Sequence, residues 1–280
     1  MKKKAPAARG KSESKRPHGL PSPRATSGSW RPATREAAAT RPVRHGVARI
    51  LSKSGVCSRS EAARWVAAGR VEVDGRVVTD PDHPVVSGKS VVHVDGQRLG
   101  QVQHRYLMLN KPRGLVTTTT DEKGRDTVYR CLDGADLPWV APVDRLDKAS
   151  EGLLLFSSDP AWAAGITGHE GGLTKTYHVQ VDGLADARVL ASLESGLVHD
   201  GQHLKAVSAG LLRQGERNCW LEVVLDEGRN RHIRRLMEAH GLNVLRLVRV
   251  AIGQVALGGL AKGQWRDLSV EEIRQLTRNG

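Results

Sequence analysis

In the stretch Asp144-Arg145-Leu146-Asp147-Lys148-Ala149-Ser150-Glu151-Gly152-Leu153-Leu154-Leu155, a charged loop runs directly into an apolar strand. That order of residues can hold a carboxylate at the edge of a sheet, where a rigid support suits a nucleophile or base. An Asp in front of a strand is also an ordinary turn residue or the partner of a nearby Arg. The surrounding sequence has to decide between the two.

Outward from this point the pattern alternates between strands and helices. Strand-like runs are Tyr106-Leu107-Met108-Leu109, Gly152 to Phe156, Tyr177-His178-Val179-Gln180-Val181 and Trp220 to Leu225. Helical spacing predicts one helix over His232 to His240 and another over Val270 to Thr277. Strands outnumber helices, so the expected class is α+β, with a mixed, largely antiparallel sheet flanked by helices.

Ahead of residue 104 lies a smaller unit. Val47, Ile50 and Leu51 have helical spacing, and Gly55 closes that helix. Ser58-Arg59-Ser60-Glu61 has the capping-box pattern of a second helix, which Gly69 ends. Arg70 to Val78 alternates around Asp74-Gly75 as a hairpin does, and Val91 to Val94 leads to a second turn at Asp95-Gly96. This run resembles the small RNA-binding domain named after ribosomal protein S4. The resemblance implies that Arg49, Lys53, Arg59, Arg64 and Arg70 touch RNA phosphates. The expected organisation is a basic disordered tail at 1–45, the S4-like unit at 46–103 and a catalytic unit at 104–280.

Composition narrows the partner. The formal charge is +13, and residues 1–45 carry twelve Lys or Arg against two Glu. Ten of those thirteen charges therefore belong to the tail, and a polyanion is the expected partner. Six prolines in the same 45 residues argue against the amphipathic helix of an organelle transit peptide. No apolar run reaches the roughly 18 residues that a membrane span needs. Cys57, Cys131 and Cys219 are too scattered for a disulfide framework or a zinc site, which fits a reducing cytoplasm. His199 and His203 are spaced as a metal pair but lack a third ligand, so no metal is expected.

Three further segments carry the chemistry. Asn110-Lys111-Pro112-Arg113-Gly114 follows a strand, Lys175-Thr176-Tyr177 opens one, and Glu227-Gly228-Arg229-Asn230-Arg231-His232-Ile233-Arg234-Arg235-Leu236 begins a basic helix. With the Asp147 loop, and with Leu247 to Gly253 and Gly263 to Arg266, they resemble the ribosomal-RNA pseudouridine synthases of the RsuA and RluB type. The resemblance runs from about residue 47 to 268. It implies isomerisation of a uridine without a cofactor, with Asp147, Tyr177 and Arg234 as the catalytic set. The N1–C1′ bond must break, the base must turn, and C5 must join C1′. The nucleotide must first be flipped from its stack. A carboxylate can serve by attacking C1′, by attacking the base, or by deprotonating the sugar.

On this reading Arg234 pairs with Asp147 and keeps it charged in a buried site. Tyr177 offers its ring to the flipped base and its hydroxyl near C5. Arg145 holds the gap in the RNA or a phosphate. Lys111, Arg113, Lys175, Arg229, Asn230, Arg231 and Arg235 line the backbone groove.

Asp144 departs from the Gly usual before Arg-Leu-Asp, His232 from Gln and Leu236 from Met. If position 144 needs positive φ, Asp is among the better substitutes, and it brings a second carboxylate near Asp147. The expected substrate is ribosomal RNA or an assembly intermediate, with Ser150-Glu151-Gly152-Leu153 and Thr174 to Tyr177 leaning toward the large subunit. A monomer is expected. The competing readings are a non-catalytic ribosome-assembly factor and, further off, a nucleosidase using Asp144 and Asp147 as paired carboxylates.

Overall fold

A computed structural model describes residues 44–86, 89–100, 103–167 and 172–277. The tail lies outside these residues except at its end, where order starts earlier than expected. Arg44–Gly46 is already a strand, β1. The helix pair follows as α1 (Val47–Lys53) and α2 (Arg59–Ala67). Ser58 caps α2, its hydroxyl accepting from the Glu61 backbone N–H at 3.1 Å. Next come β2 (Val71–Val73), β3 (Arg76–Val78), β4 (Pro84–Val86), β5 (Val92–Val94) and β6 (Gln97–Arg98). The order β3-β2-β5-β6 makes one small antiparallel sheet, and β1 pairs with β4. The expected Asp-Gly turns are both present, with Asp74 and Asp95 at φ near +50°. Val47, Leu51, Ala62, Val66 and Val71 are buried together as the core of this unit.

The larger unit begins with β7 (Tyr106–Lys111), followed by a 3₁₀ turn at Val128–Leu132 and by β8 (Ala141–Val143). It continues through β9 (Glu151–Ser157), α3 (Pro160–Thr167), β10 (Lys175–Val181), α4 (Ala187–Ser195), β11 (Leu197–His199) and β12 (Gln202–Leu204). The remaining elements are β13 (Ser208–Gln214), β14 (Cys219–Leu225), α5 (His232–Glu238), β15 (Val244–Ile252), β16 (Val255–Ala256), β17 (Trp265–Asp267) and α6 (Val270–Thr277). Its main sheet runs β13-β14-β10-β15-β9-β7-β17, with β16 beside β15 and β8 beside β9. Of these pairings only β9 with β15 is parallel, so the mixed, largely antiparallel sheet is as read from the sequence. One face packs Leu193 of α4 and Ile233, Leu236 and Met237 of α5 over Leu109, Leu154, Val179 and Leu221. The other packs Trp162 and Ile166 of α3 and Leu276 of α6 over Met108, Leu153, Leu155 and Ile252. β9 is apolar to both sides because it is covered on both, which is why it reads as a continuous hydrophobic run.

Central strand β15 is absent from the strand-like runs of the sequence. Arg246 and Arg249 break its apolar pattern, although Arg249 is fully buried. The two units touch at Gly55, whose position leaves no room for a Cβ beside Ser158.

Candidate functional site

Cross-strand register sets the site. Tyr177 of β10 lies opposite Arg249 of β15, Arg249 opposite Gly152 of β9, and Gly152 opposite Lys111 of β7. Residues directly opposite one another in a sheet project to the same face. Tyr177, Arg249, Gly152 and Lys111 therefore form one row, and the loop 144–150 lies against it.

Lys111 is 0% exposed and cannot line an RNA groove as expected. Its Nζ donates to the carbonyls of Pro112 at 3.1 Å, Asp147 at 3.2 Å and Ser150 at 2.9 Å. Two neighbours hold the same loop: the Gly114 N–H donates to Lys148 O at 2.8 Å, and the Thr117 hydroxyl donates to Leu146 O at 2.7 Å. The Asn110 to Gly114 motif is thus a cradle for the Asp147 loop.

Burial pushes the Lys111 ammonium down to about 8, against the opposing pull of Asp147. Below pH 8 the amine is charged in folded and unfolded chains alike, and the folded state bears the cost of burying it. That cost is relieved as pH rises from 8 toward the ordinary value of 10.5. Lys111→Met is expected to lose about a hundredfold in turnover through the slackened loop, while RNA affinity is kept. Urea melts should show wild type gaining stability over Lys111→Met between pH 7.5 and 9.5. Equal pH slopes would remove Lys111 as the titrating group.

Asp147 is exposed, not buried, and its carboxylate has no hydrogen-bond or ion-pair partner among the described residues. It faces a cleft of about 150 Å³ lined also by Asp144, Arg145, Tyr177, Leu225, Gly228 to Ile233 and Leu247. The expected Arg234–Asp147 pair is not formed. Arg234 donates to Val244 O at 3.2 Å and to Ala149 O at 3.5 Å, bracing the loop from the α5 side. Arg231, the N-cap residue of α5, sits in left-handed conformation at φ +50°.

The cation under the cleft is Arg249, which the sequence reading did not single out. Its Nη1 donates to Asp144 Oδ2 at 2.8 Å and its Nε to Leu153 O at 2.8 Å. A signal was present: an Arg inside an otherwise apolar run needs a buried counter-charge. Asp144 is at φ +66°, so the conformation anticipated for that position is the one found. Tyr177 is 8% exposed, and burial raises its phenol above the ordinary value, with Arg249 opposing.

Lys175 is 7% exposed, so it too is removed from the expected groove; burial lowers its ammonium, and Asp144 offsets part of the effect. Arg235 bonds Gln202 Oε1 and His199 O, both at 2.8 Å, tying α5 to the β11–β12 hairpin. Arg113, Arg145, Arg229, Asn230 and Arg231 are exposed, the last four lining the cleft. In the smaller unit Arg49, Lys53, Arg59, Arg64 and Arg70 are all exposed. Arg70 stacks on Trp65 at 4.9 Å and pairs with Asp95 at 2.5 Å.

The RNA pseudouridylate synthase family matches residues 105–239 and the S4 domain matches 47–91. An uncharacterised RNA pseudouridine synthase of Rickettsia conorii is 37% identical over 226 residues, 80% of this chain and 96% of that one. The chain belongs to the RNA pseudouridine synthase family. The synthase is accordingly an isomerase with an S4 RNA-binding domain ahead of its catalytic fold. The ribosomal large subunit pseudouridine synthase B of Bacillus subtilis is 31% identical, covering 81% of this chain and 93% of that one. The enzyme of that name from Haemophilus influenzae is 35% identical over 81% of this chain and 66% of its own length. A pseudouridylate synthase crystal structure superposes with a TM-score of 0.58 at 26% identity, over 84% of this chain and 99% of that one. None of the described helices is long and apolar enough to cross a membrane.

Proposed function

We propose that this pseudouridine synthase converts a uridine of large-subunit ribosomal RNA to pseudouridine, with Asp147 as the catalytic carboxylate and no cofactor. The observation that carries the reading is the Asp147 carboxylate itself: without a partner among the described residues, exposed to the cleft, and borne on a loop tied down at Leu146, Asp147, Lys148 and Ser150. A nucleophile needs such freedom at the oxygen and such rigidity in the backbone.

The flipped nucleotide enters the cleft with its ribose toward Asp147. An ionised oxygen there serves cleavage by any of the three routes open to a carboxylate, since each requires it at the ribose or base. N1–C1′ breaks, the base turns, C5 bonds C1′, the C5 proton leaves to solvent and N1 takes one up. Tyr177 supports the base with its ring and donates from its neutral hydroxyl. Arg145, Arg229, Asn230 and Arg231 rim the opening and suit the flanking phosphates, with Arg113 close by. We place the RNA-binding unit at 46–103 and the catalytic unit at 104–280, with a basic tail ahead of them. The enzyme acts as a cytoplasmic monomer, since the RNA supplies the second surface of the site. Naked RNA and an assembly intermediate present the same nucleotide.

The large-subunit assignment leans on the B-type relatives. Tritium release from C5-labelled uridine tests it, using transcripts of both subunit RNAs and isolated assembly intermediates. Stoichiometric release from large-subunit RNA alone is expected. Release from small-subunit RNA moves the target. Binding without release from any of these substrates favours an assembly factor.

A further inference from the structure

We infer that Asp144 is a positioning residue: its carboxylate keeps the buried Arg249 guanidinium in place and so leaves Asp147 free to react. The inference rests on the assignment of Asp147 above. Arg249 is 0% exposed and must have a counter-charge, because an uncompensated buried guanidinium is strongly destabilising. Asp144 supplies it at 2.8 Å, while the second nitrogen, Nη2, is buried without a hydrogen-bond partner among the described residues. Three titratable groups surround this pair. Lys175 of β10 feels both Asp144 and Arg249, and the Tyr177 hydroxyl feels Arg249, Asp144 and Asp147 together. Asp226, just past β14, is the remaining carboxylate near Lys175.

Remove the Asp144 carboxylate and the guanidinium still needs an anion. Asp147 shares the same cleft and its carboxylate has no partner among the described residues. A guanidinium drawn to Asp147 would occupy the oxygen that has to reach the ribose. Asp144 thus does two separable things. Its backbone adopts φ +66°, which Gly would do at least as easily. Its side chain holds a cation, which Gly cannot do.

Asp144→Gly separates these roles, since it keeps the backbone and is expected to fold. Steady-state tritium release on ribosomal RNA should show kcat reduced about tenfold, with KM for RNA within about twofold. Asp144→Asn retains the left-handed conformation and one acceptor oxygen but not the charge, and should recover only part of that loss. In an Arg249→Met background, which removes the cation, Asp144→Gly should cost little further, because its effect passes through the guanidinium. Wild-type kcat in Asp144→Gly would reduce Asp144 to a turn residue and overturn the inference. Losses that multiply in the double variant, or that fall on KM, would overturn it too. An active Asp147→Asn enzyme would instead overturn the assignment of Asp147, so the two failures are distinguishable.

Discussion

Asp147→Asn is expected to reduce tritium release by a factor of about 10³ or more, while gel-shift affinity for ribosomal RNA stays within about threefold. The amide has the same size and shape but neither the negative charge nor the nucleophilicity of the carboxylate. Loss by misfolding is not expected. The Asp147 side chain accepts no hydrogen bond among the described residues; the loop is held through the backbone carbonyls of residues 146–150, which the substitution leaves in place. Unfolding free energies of the two proteins should agree within roughly 0.5 kcal/mol, as for a surface change away from any contact. Residual turnover within tenfold of wild type would mean that the chemistry runs through another group, and Asp144, the other carboxylate of the cleft, would become the candidate.

Gly152→Ala should produce the largest loss of stability. Gly152 sits at φ +100°, and a Cβ placed there would lie 2.2 Å from the Arg249 carbonyl oxygen and 2.8 Å from its backbone nitrogen. Both are backbone atoms of the neighbouring strand and cannot swing aside. Relief requires parting β9 from β15 at their parallel pairing, which also displaces Arg249 and Tyr177 beyond it. A loss of about 4 kcal/mol or more is expected, which for a chain of this size means a melting temperature lower by about 10 °C or more. Gly75→Ala makes the control. Gly75 has φ +78° with nothing within 4 Å of its Cβ position, so it should cost only about 1 kcal/mol of backbone strain. Similar melting curves for the two variants would show that left-handed strain, and not the close approach of β15, accounts for Gly152.

The two glycines also indicate what could be read in advance. Asp74-Gly75 and Asp95-Gly96 are local signals, and the hairpins they predict are present. Ser58 to Glu61 caps its helix as its spacing implies. The apolar run of β9, bounded by a charged loop, placed Asp147 at the mouth of a strand where it is found. Each of these depends on residues within a few positions of one another. What escaped depends on distant ones. Lys111 and Lys175 look like two more cations of an RNA groove, and only their place in a covered sheet turns them inward. Arg234 was expected to serve the carboxylate, and Arg249 was not singled out. α5 aims Arg234 at main-chain carbonyls of residues 149 and 244, while β15 brings Arg249 beneath residue 144.

The order of motifs in the chain therefore determined the class of protein, the α+β pattern and the identity of the candidate carboxylate. Local hydrogen bonding, alternation and turn preferences suffice for these. The division of charged residues into those that face RNA and those that support the loop was decided by the tertiary structure. That division follows from cross-strand register, which sets Tyr177, Arg249, Gly152 and Lys111 in one row from four separate segments. No periodicity within a single segment encodes such a row, because its physical basis is hydrogen bonding between strands up to 138 residues apart in sequence.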